Sequence, residues 1–187
     1  MLMKNAKIHN EKIIYRELRL SDIPQLYRMY THLSEKTKRY FHPFPEKIFN
    51  VSTLITWMLL TLSTIKPLRK ILLRLLPLSV YISFCCLYSN EIIGFIFIKL
   101  RNRHYGSLGI VVRDGFQGMG IGSKLINFMF ALARREGIRK IRITVLADNY
   151  NAIKFFEKFG FKKTNFIREC DAYGDKKHDR VEMWLDL

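Results

Sequence analysis

Apolar and polar positions change period several times along the chain. Lys12 to Arg19 (KIIYRELR) alternates and is rich in β-formers, which predicts a strand. Ser21-Asp22-Ile23-Pro24 is a helix-start pattern with Ser21 as N-cap, and the helix continues through Leu26, Tyr27 and Tyr30. A second short helix is expected after Ser34, broken by His42-Pro43-Phe44-Pro45. From about Phe49 to Leu76 the pattern is again helical and reads as an insertion before the central strands. Ser79 to Leu87 and Glu91 to Leu100 flank Ser89-Asn90 and predict a hairpin. After a turn near Asn102 to Gly106, Ser107 to Val112 is a further strand. Gly118 to Arg135 has helical spacing, with Ile121, Leu125, Phe128, Met129 and Leu132 as its apolar face. Lys140 to Leu146 then reads as a strand and Asn149 to Phe159 as a helix. Phe161 to Glu169 and Lys177 to Leu187 read as strands around a turn at Asp171 to Asp175. The expected architecture is one mixed α/β domain over residues 1–187. Its sheet is mostly antiparallel, with a β-α-β crossover and flanking helices.

The segment with chemical content is Val112-Arg113-Asp114-Gly115-Phe116-Gln117-Gly118-Met119-Gly120-Ile121-Gly122-Ser123-Lys124-Leu125. A strand enters a loop and the loop opens a helix. Glycines at 118, 120 and 122 leave room for a ligand at the backbone, and the first-turn N–H groups lack intrahelical partners. With the positive end of the helix dipole, this is a phosphate-binding arrangement, to which Ser123 adds a hydroxyl donor. The spacing fits neither the GxGxxG of a dinucleotide site nor the GxxxxGK[ST] of a P-loop.

Charge adds a second clue. Lys and Arg number 32 against 16 Asp and Glu, a net charge of +16. Such a field attracts nucleic acid, anionic membrane or a phosphate-bearing cofactor, and charge alone does not separate them. Apolar residues make up 49% and charged residues 26%, which argues against a disordered chain. The three cysteines, Cys85, Cys86 and Cys170, show no metal-ligand spacing and no disulfide framework. Adjacent Cys85 and Cys86 would point to opposite faces of a strand. A reducing, cytoplasmic compartment is expected, as the first residues lack the apolar core of a secretory signal. The apolar run Leu54 to Ile65 is shorter than the ~20 residues of a membrane span.

Two blocks together resemble the GNAT N-acetyltransferase superfamily. Gln117-x-x-Gly120-x-Gly122 is similar to its Gln/Arg-x-x-Gly-x-Gly/Ala signature. Asn149-Tyr150-Asn151-Ala152, followed by Phe155-Phe156-Glu157-Lys158-Phe159-Gly160-Phe161, is similar to its second block. Arg16 to Ile23 and Val181 to Trp184 resemble the family's first and last strands. The resemblance implies acetyl-CoA as co-substrate, with no metal. It implies that the backbone of Ile110, Val111 and Val112 pairs with the pantetheine arm. The N–H groups of Gln117, Gly118, Met119, Gly120, Ile121, Gly122 and Ser123 would hold the pyrophosphate, and Asn149 would bond the pantetheine near the thioester. A splay between the strand ending at Val112 and the strand Lys140 to Leu146 would open the acceptor channel. Arg113, Lys124 and Arg135 are further candidates for phosphate contact, with surface solvation as the alternative.

The implied chemistry is direct attack of a neutral amine on the thioester. A lysine-like amine of pKa ~10.4 is neutral about once in 2,500 molecules at pH 7, whereas an α-amine of pKa ~7.8 is neutral roughly once in seven. The family's usual general acid is a tyrosine, and Phe156 stands at that position, on an apolar face with Ala152, Phe155 and Phe159. Tyr105, Tyr150 and Tyr173 are other candidate acids, with packing or surface placement as the alternative for each. His42 and His104 are candidate bases, since histidine titrates near neutrality. The stretch Ile143-Thr144-Val145 carries no carboxylate. The sequence therefore assigns no catalytic residue.

The insertion carries Trp57, Met58, Leu59 and Leu60, then Lys66, Arg69, Lys70 and Arg74, with no acidic residue from Lys47 to Asn90. A lid over an apolar acceptor, an interfacial membrane helix and a core extension or dimer contact all fit this pattern. Two other classes of function stay open. One is a non-catalytic acyl-CoA sensor, and the other a basic nucleic-acid- or ribosome-binding protein, although no helix-turn-helix, RNA-binding sheet motif or zinc knuckle is present. The acceptor amine and the oligomeric state, a homodimer included, are left open.

Overall fold

The computed structural model describes residues 13–41, 80–101, 104–173 and 176–187, the side chains of 169–173 and 176–177 excepted. The insertion near residues 49–76 and His42 lie outside the described residues. The elements in chain order are β1 (Ile14–Glu17), a 3₁₀ turn (Leu20–Asp22), α1 (Ile23–Thr31), α2 (Glu35–Tyr40), β2 (Val80–Tyr88), β3 (Glu91–Leu100) and β4 (Tyr105–Val112). They continue with α3 (Ile121–Arg135), β5 (Lys140–Leu146), α4 (Tyr150–Glu157), β6 (Lys162–Tyr173) and β7 (Lys176–Asp186). Seven strands form one sheet in the order β1-β2-β3-β4-β5-β7-β6, and β4 with β5 is its parallel pair.

Local chemistry explains most boundaries. Ser89 and Asn90 both adopt positive φ, 48° and 62°, the requirement of a tight two-residue hairpin turn. Ser34 caps α2 by accepting the Thr37 N–H. Ser21, expected as the cap of α1, instead sits inside the 3₁₀ turn. Asp22 takes the N-cap place, with Pro24 in the first turn. Its carboxylate is drawn away by Arg16, whose guanidinium donates to both oxygens at 2.6 and 2.7 Å, and by the Arg19 N–H at 2.7 Å. α3 begins at Ile121 rather than Gly118, because Gly118 and Gly120 hold left-handed φ of 79° and 77° and cannot continue a right-handed helix. α4 is likewise shorter than Asn149 to Phe159.

Two apolar clusters sandwich the sheet. On one face Leu26, Met29 and Leu33, from α1 and the turn after it, pack on Tyr81, Cys85, Phe95 and Phe97. On the other, Leu125, Ile126, Met129 and Leu132 of α3 and Ile153 and Phe156 of α4 pack on Ile82, Ile96, Ile98 and Ile143. α3 departs from expectation at Phe128, which is 45% exposed; Ile126, Phe130 and Ala133 are buried instead. Phe128 rests its ring on Tyr15 and Phe84, which joins α3 to the sheet edge.

Cys85 and Cys86 lie on opposite faces, as alternation requires. Burial pushes both thiols up to about 12, so neither supplies thiolate at neutral pH. Ellman's reagent is expected to leave both unlabelled in a folded Cys170→Ser protein and to label both after unfolding. Rapid labelling of the folded protein would contradict their placement.

Candidate functional site

β4 divides its two edges unequally. Against β3 it pairs from Gly106 to Val112. Against β5 it pairs only at Tyr105–Lys140, Gly106–Ile141 and Ser107–Arg142. β5 keeps its full ladder with β7, from Lys140–Asp186 to Leu146–Arg180. The strands therefore diverge, and residues 108–112 face 143–146 across a gap with no ladder between them. Backbone N–H and C=O groups along such an edge are open to an extended ligand that adds as a strand. Ile110 and Val111 lie on this edge. So does Val112, whose carbonyl accepts from the Gln117 amide at 2.9 Å.

The gap ends at the glycine loop. A Cβ on Gly118 or Gly120 would meet nothing within 4 Å, so the space over the loop is open. Gly120 is the N-cap of α3 and offers no side-chain cap, so the first-turn N–H groups have no side chain closing over them. Lys124 is the first residue whose N–H returns to the helix, at 3.1 Å from the Gly120 carbonyl. Gly122 serves packing: a Cβ there would come within 3.3 Å of the Phe155 ring. The N–H groups from Gln117 to Ser123 thus lie in the loop and first turn at the N-terminus of α3, a position that favours an anion. Across the gap Asn149 caps α4, with its Oδ1 accepting from Ala152 N at 3.2 Å, and its amide group remains a donor.

α2 links the two arms, a role not visible in the sequence. Asp114, just past β4, accepts from Ser34 N at 2.7 Å, Ser34 Oγ at 3.0 Å and Thr37 Oγ1 at 2.7 Å. Burial alone would raise the Asp114 pKa, but these donors outweigh it and hold the carboxyl below its usual value. Two residues further along α2, Arg39 pairs with Asp148, just past β5. One short helix is thereby tied to the ends of both diverging strands.

The remaining candidates fall apart spatially. Arg113 pairs with Glu91 at 2.8 Å, Lys124 lies over the Tyr15 ring, and Arg135 is 3.8 Å from Glu17. Phe156 is 6% exposed and packs edge-on against Phe155 and Phe161 in the core. Tyr150 is 70% exposed. His104 precedes β4 at its far end from the loop, and the Tyr105 ring lies tilted against Trp184. The side chain of Tyr173 lies outside the described residues. No carboxylate stands in Ile143-Thr144-Val145, yet the register sets Glu182 of β7 opposite Thr144. Its carboxylate is held by Arg142 at 3.1 Å and by the Trp184 indole N–H at 3.0 Å. Among the described residues no group of three or more His, Cys, Asp or Glu stands together as metal ligands.

A seven-stranded sheet splayed beside a glycine-rich helix entry is the frame of an acyltransferase class of fold. The chain belongs to the GNAT acetyltransferase family, whose model matches residues 38–161. Its fold is that of a GNAT-family acetyltransferase from Streptococcus pneumoniae, with a TM-score of 0.72, 21% identity, and 94% of this chain and 100% of that one covered. A putative acetyltransferase from Salmonella typhimurium, solved with its cofactor acetyl-CoA, superposes with a TM-score of 0.72 at 16% identity over 94% of each chain. An uncharacterized N-acetyltransferase of Methanocaldococcus jannaschii is 34% identical over 59 residues, which is 32% of this chain and 26% of that protein. The chain spans only about a quarter of the length of the curated relatives it matches.

Proposed function

We propose that the protein transfers the acetyl group of acetyl-CoA to an amine by direct attack on the thioester. The observation that carries this reading is the unpaired edge of β4 at residues 108–112, leading to the open glycine loop. The backbone of Ile110 to Val112 would pair with an extended pantetheine arm. The N–H groups from Gln117 to Ser123 would take the pyrophosphate, and the Asn149 amide would bond the arm from the β5 side. Acetyl-CoA supplies an activated acyl group whose thiolate leaves without strong acid assistance, because a thiol reference pKa is ~8.5. This suits a chain with Phe156 at the position of the family's usual acid.

The test is a thiol-release assay with acetyl-CoA against a panel of amines and peptides, alongside calorimetric titration of CoA. Binding with turnover supports the transferase. Binding without turnover on a broad panel supports a sensor, a reading that the buried, hydroxyl-free Phe156 favours. No binding by folded protein defeats both. With turnover in hand, kcat/KM is expected to rise about tenfold per pH unit and to level off near the acceptor's own pKa. An inflection that stays fixed while the acceptor pKa is varied would assign the base to the protein.

A further inference from the structure

The register across the sheet aligns one row of residues at the apex of the gap. Tyr81 of β2 stands opposite Lys99 of β3, Lys99 opposite Ser107 of β4, Ser107 opposite Arg142 of β5, and Arg142 opposite Trp184 of β7. Strand alternation puts all five on the α1 face, since Phe97 and Val111, two and four positions away, pack beneath α1. Ser107 is also the last β4 residue paired to β5, so this row is the floor on which the gap opens.

Charge along the row is unbalanced. Arg142 is neutralised by Glu182. Lys99 makes no ion pair among the described residues; its ammonium lies 5.8 Å from the centre of the Tyr81 ring. The chain from Lys47 to Asn90 contains no Asp or Glu, so the insertion brings it no carboxylate. Beside it the Ser107 hydroxyl is buried without a hydrogen-bond partner. A half-buried cation next to an unsatisfied hydroxyl is costly unless a ligand completes both. The pKa of Lys99 is lowered, first by burial and then by Arg101, which a bound anion would reverse.

We propose that Lys99 and Ser107 form an anion-binding subsite for the acceptor, so that the acceptor is an amine carrying its own carboxylate or phosphate group. This rests on the acetyltransferase reading and names its substrate class. Residues directly opposite on antiparallel strands hold their Cβ atoms ~5 Å apart, close enough for one anion to touch both. The unpaired edge begins at Leu108, so the amine attacks one or two residues further along β4, roughly 3–7 Å away. Amine and anionic group are thus separated by a few bonds. The net charge of +16 acts in the same direction, drawing anionic acceptors in and repelling polyamines.

The test uses thiol release at saturating acetyl-CoA on matched amines: β-alanine against β-alaninamide, O-phosphoethanolamine against ethanolamine, and spermidine as a polycation. The first pair reports a carboxylate and the second a phosphate. In at least one pair the anionic member is expected to lead by about tenfold or more in kcat/KM, the scale of one charge-assisted contact. Lys99→Met is expected to cut that lead to about twofold with CoA affinity unchanged, and Ser107→Ala to reduce it about threefold. Equal or better turnover of the neutral members or spermidine overturns the subsite. So does a lead that survives in Lys99→Met, or a CoA-binding enzyme that turns over neither anionic amine. Failure to bind CoA at all would instead remove the acetyltransferase reading on which the subsite rests.

Discussion

Replacing Gly120 by valine is expected to weaken CoA binding by about a hundredfold, or ~2.7 kcal/mol. Gly120 holds φ of 77° at the N-cap of α3. A β-branched residue is a steric outlier there. Space is not the obstacle, because a Cβ at Gly120 would meet no atom within 4 Å. The backbone conformation is. To relieve it the loop must turn, and the N–H groups from Gln117 to Ser123, proposed above to take the pyrophosphate, turn with it. The valine methyls also stand in the open space over the loop. Calorimetry with CoA measures the loss. Thermal denaturation should show only a small drop, since α3 is anchored by Leu125, Ile126 and Met129, all fully buried. Near-normal CoA affinity in the valine variant would mean that the phosphates bind elsewhere.

Asp22→Ala is expected to cost about 3 kcal/mol of folding stability, because it leaves a partly buried Arg16 without its counter-charge. The Asp22 carboxylate is 6% exposed and accepts two bonds from Arg16 and one from Arg19 N. These three bonds fix the reversal between β1 and α1, and so set α1 on its face of the sheet. Urea unfolding measures the loss. Burial by itself would raise the Asp22 pKa, but the Arg16 bonds, the Arg19 N–H and the nearby positive charges hold it below the usual value. The folded pKa lies below the unfolded one, so the ionised carboxylate contributes fully above pH ~4 and fades as pH falls through the folded value. Asp22→Asn should therefore differ most from the native protein near neutrality and converge with it in acid. A gap that is constant with pH would assign the effect to packing alone.

Much of this protein is written in local pattern. The alternation of Lys140 to Leu146 became a strand with those bounds, Ser89-Asn90 became a tight turn, and Gly118-x-Gly120-x-Gly122 became a helix entry with left-handed glycines. Each rests on interactions within a few residues: side-chain period, turn sterics and capping. The family resemblance is legible for the same reason, since both of its blocks are short loops that open helices. Local reading failed where another group competed for the same side chain or where the sheet ended. Ser21 should cap α1 by propensity, but Arg16 and Arg19 bind Asp22 and shift the entry by a residue. Phe128 has helical core spacing, but it lies at the sheet edge against Tyr15 and Phe84 and stays 45% exposed.

The sequence by itself determined the type and order of most elements, the glycine-rich entry to α3 and the lack of a tyrosine at position 156. Only the tertiary structure decided where β4 leaves β5, that α2 joins both arms through Asp114 and Asp148, and that Glu182 comes beside Thr144. It alone set Lys99 next to Ser107. These pairs are 8 to 109 residues apart in the chain, and strand order and register bring them together. Sheet register is a property of the packed core, fixed by which apolar faces meet α1 and α3, and no local period encodes it.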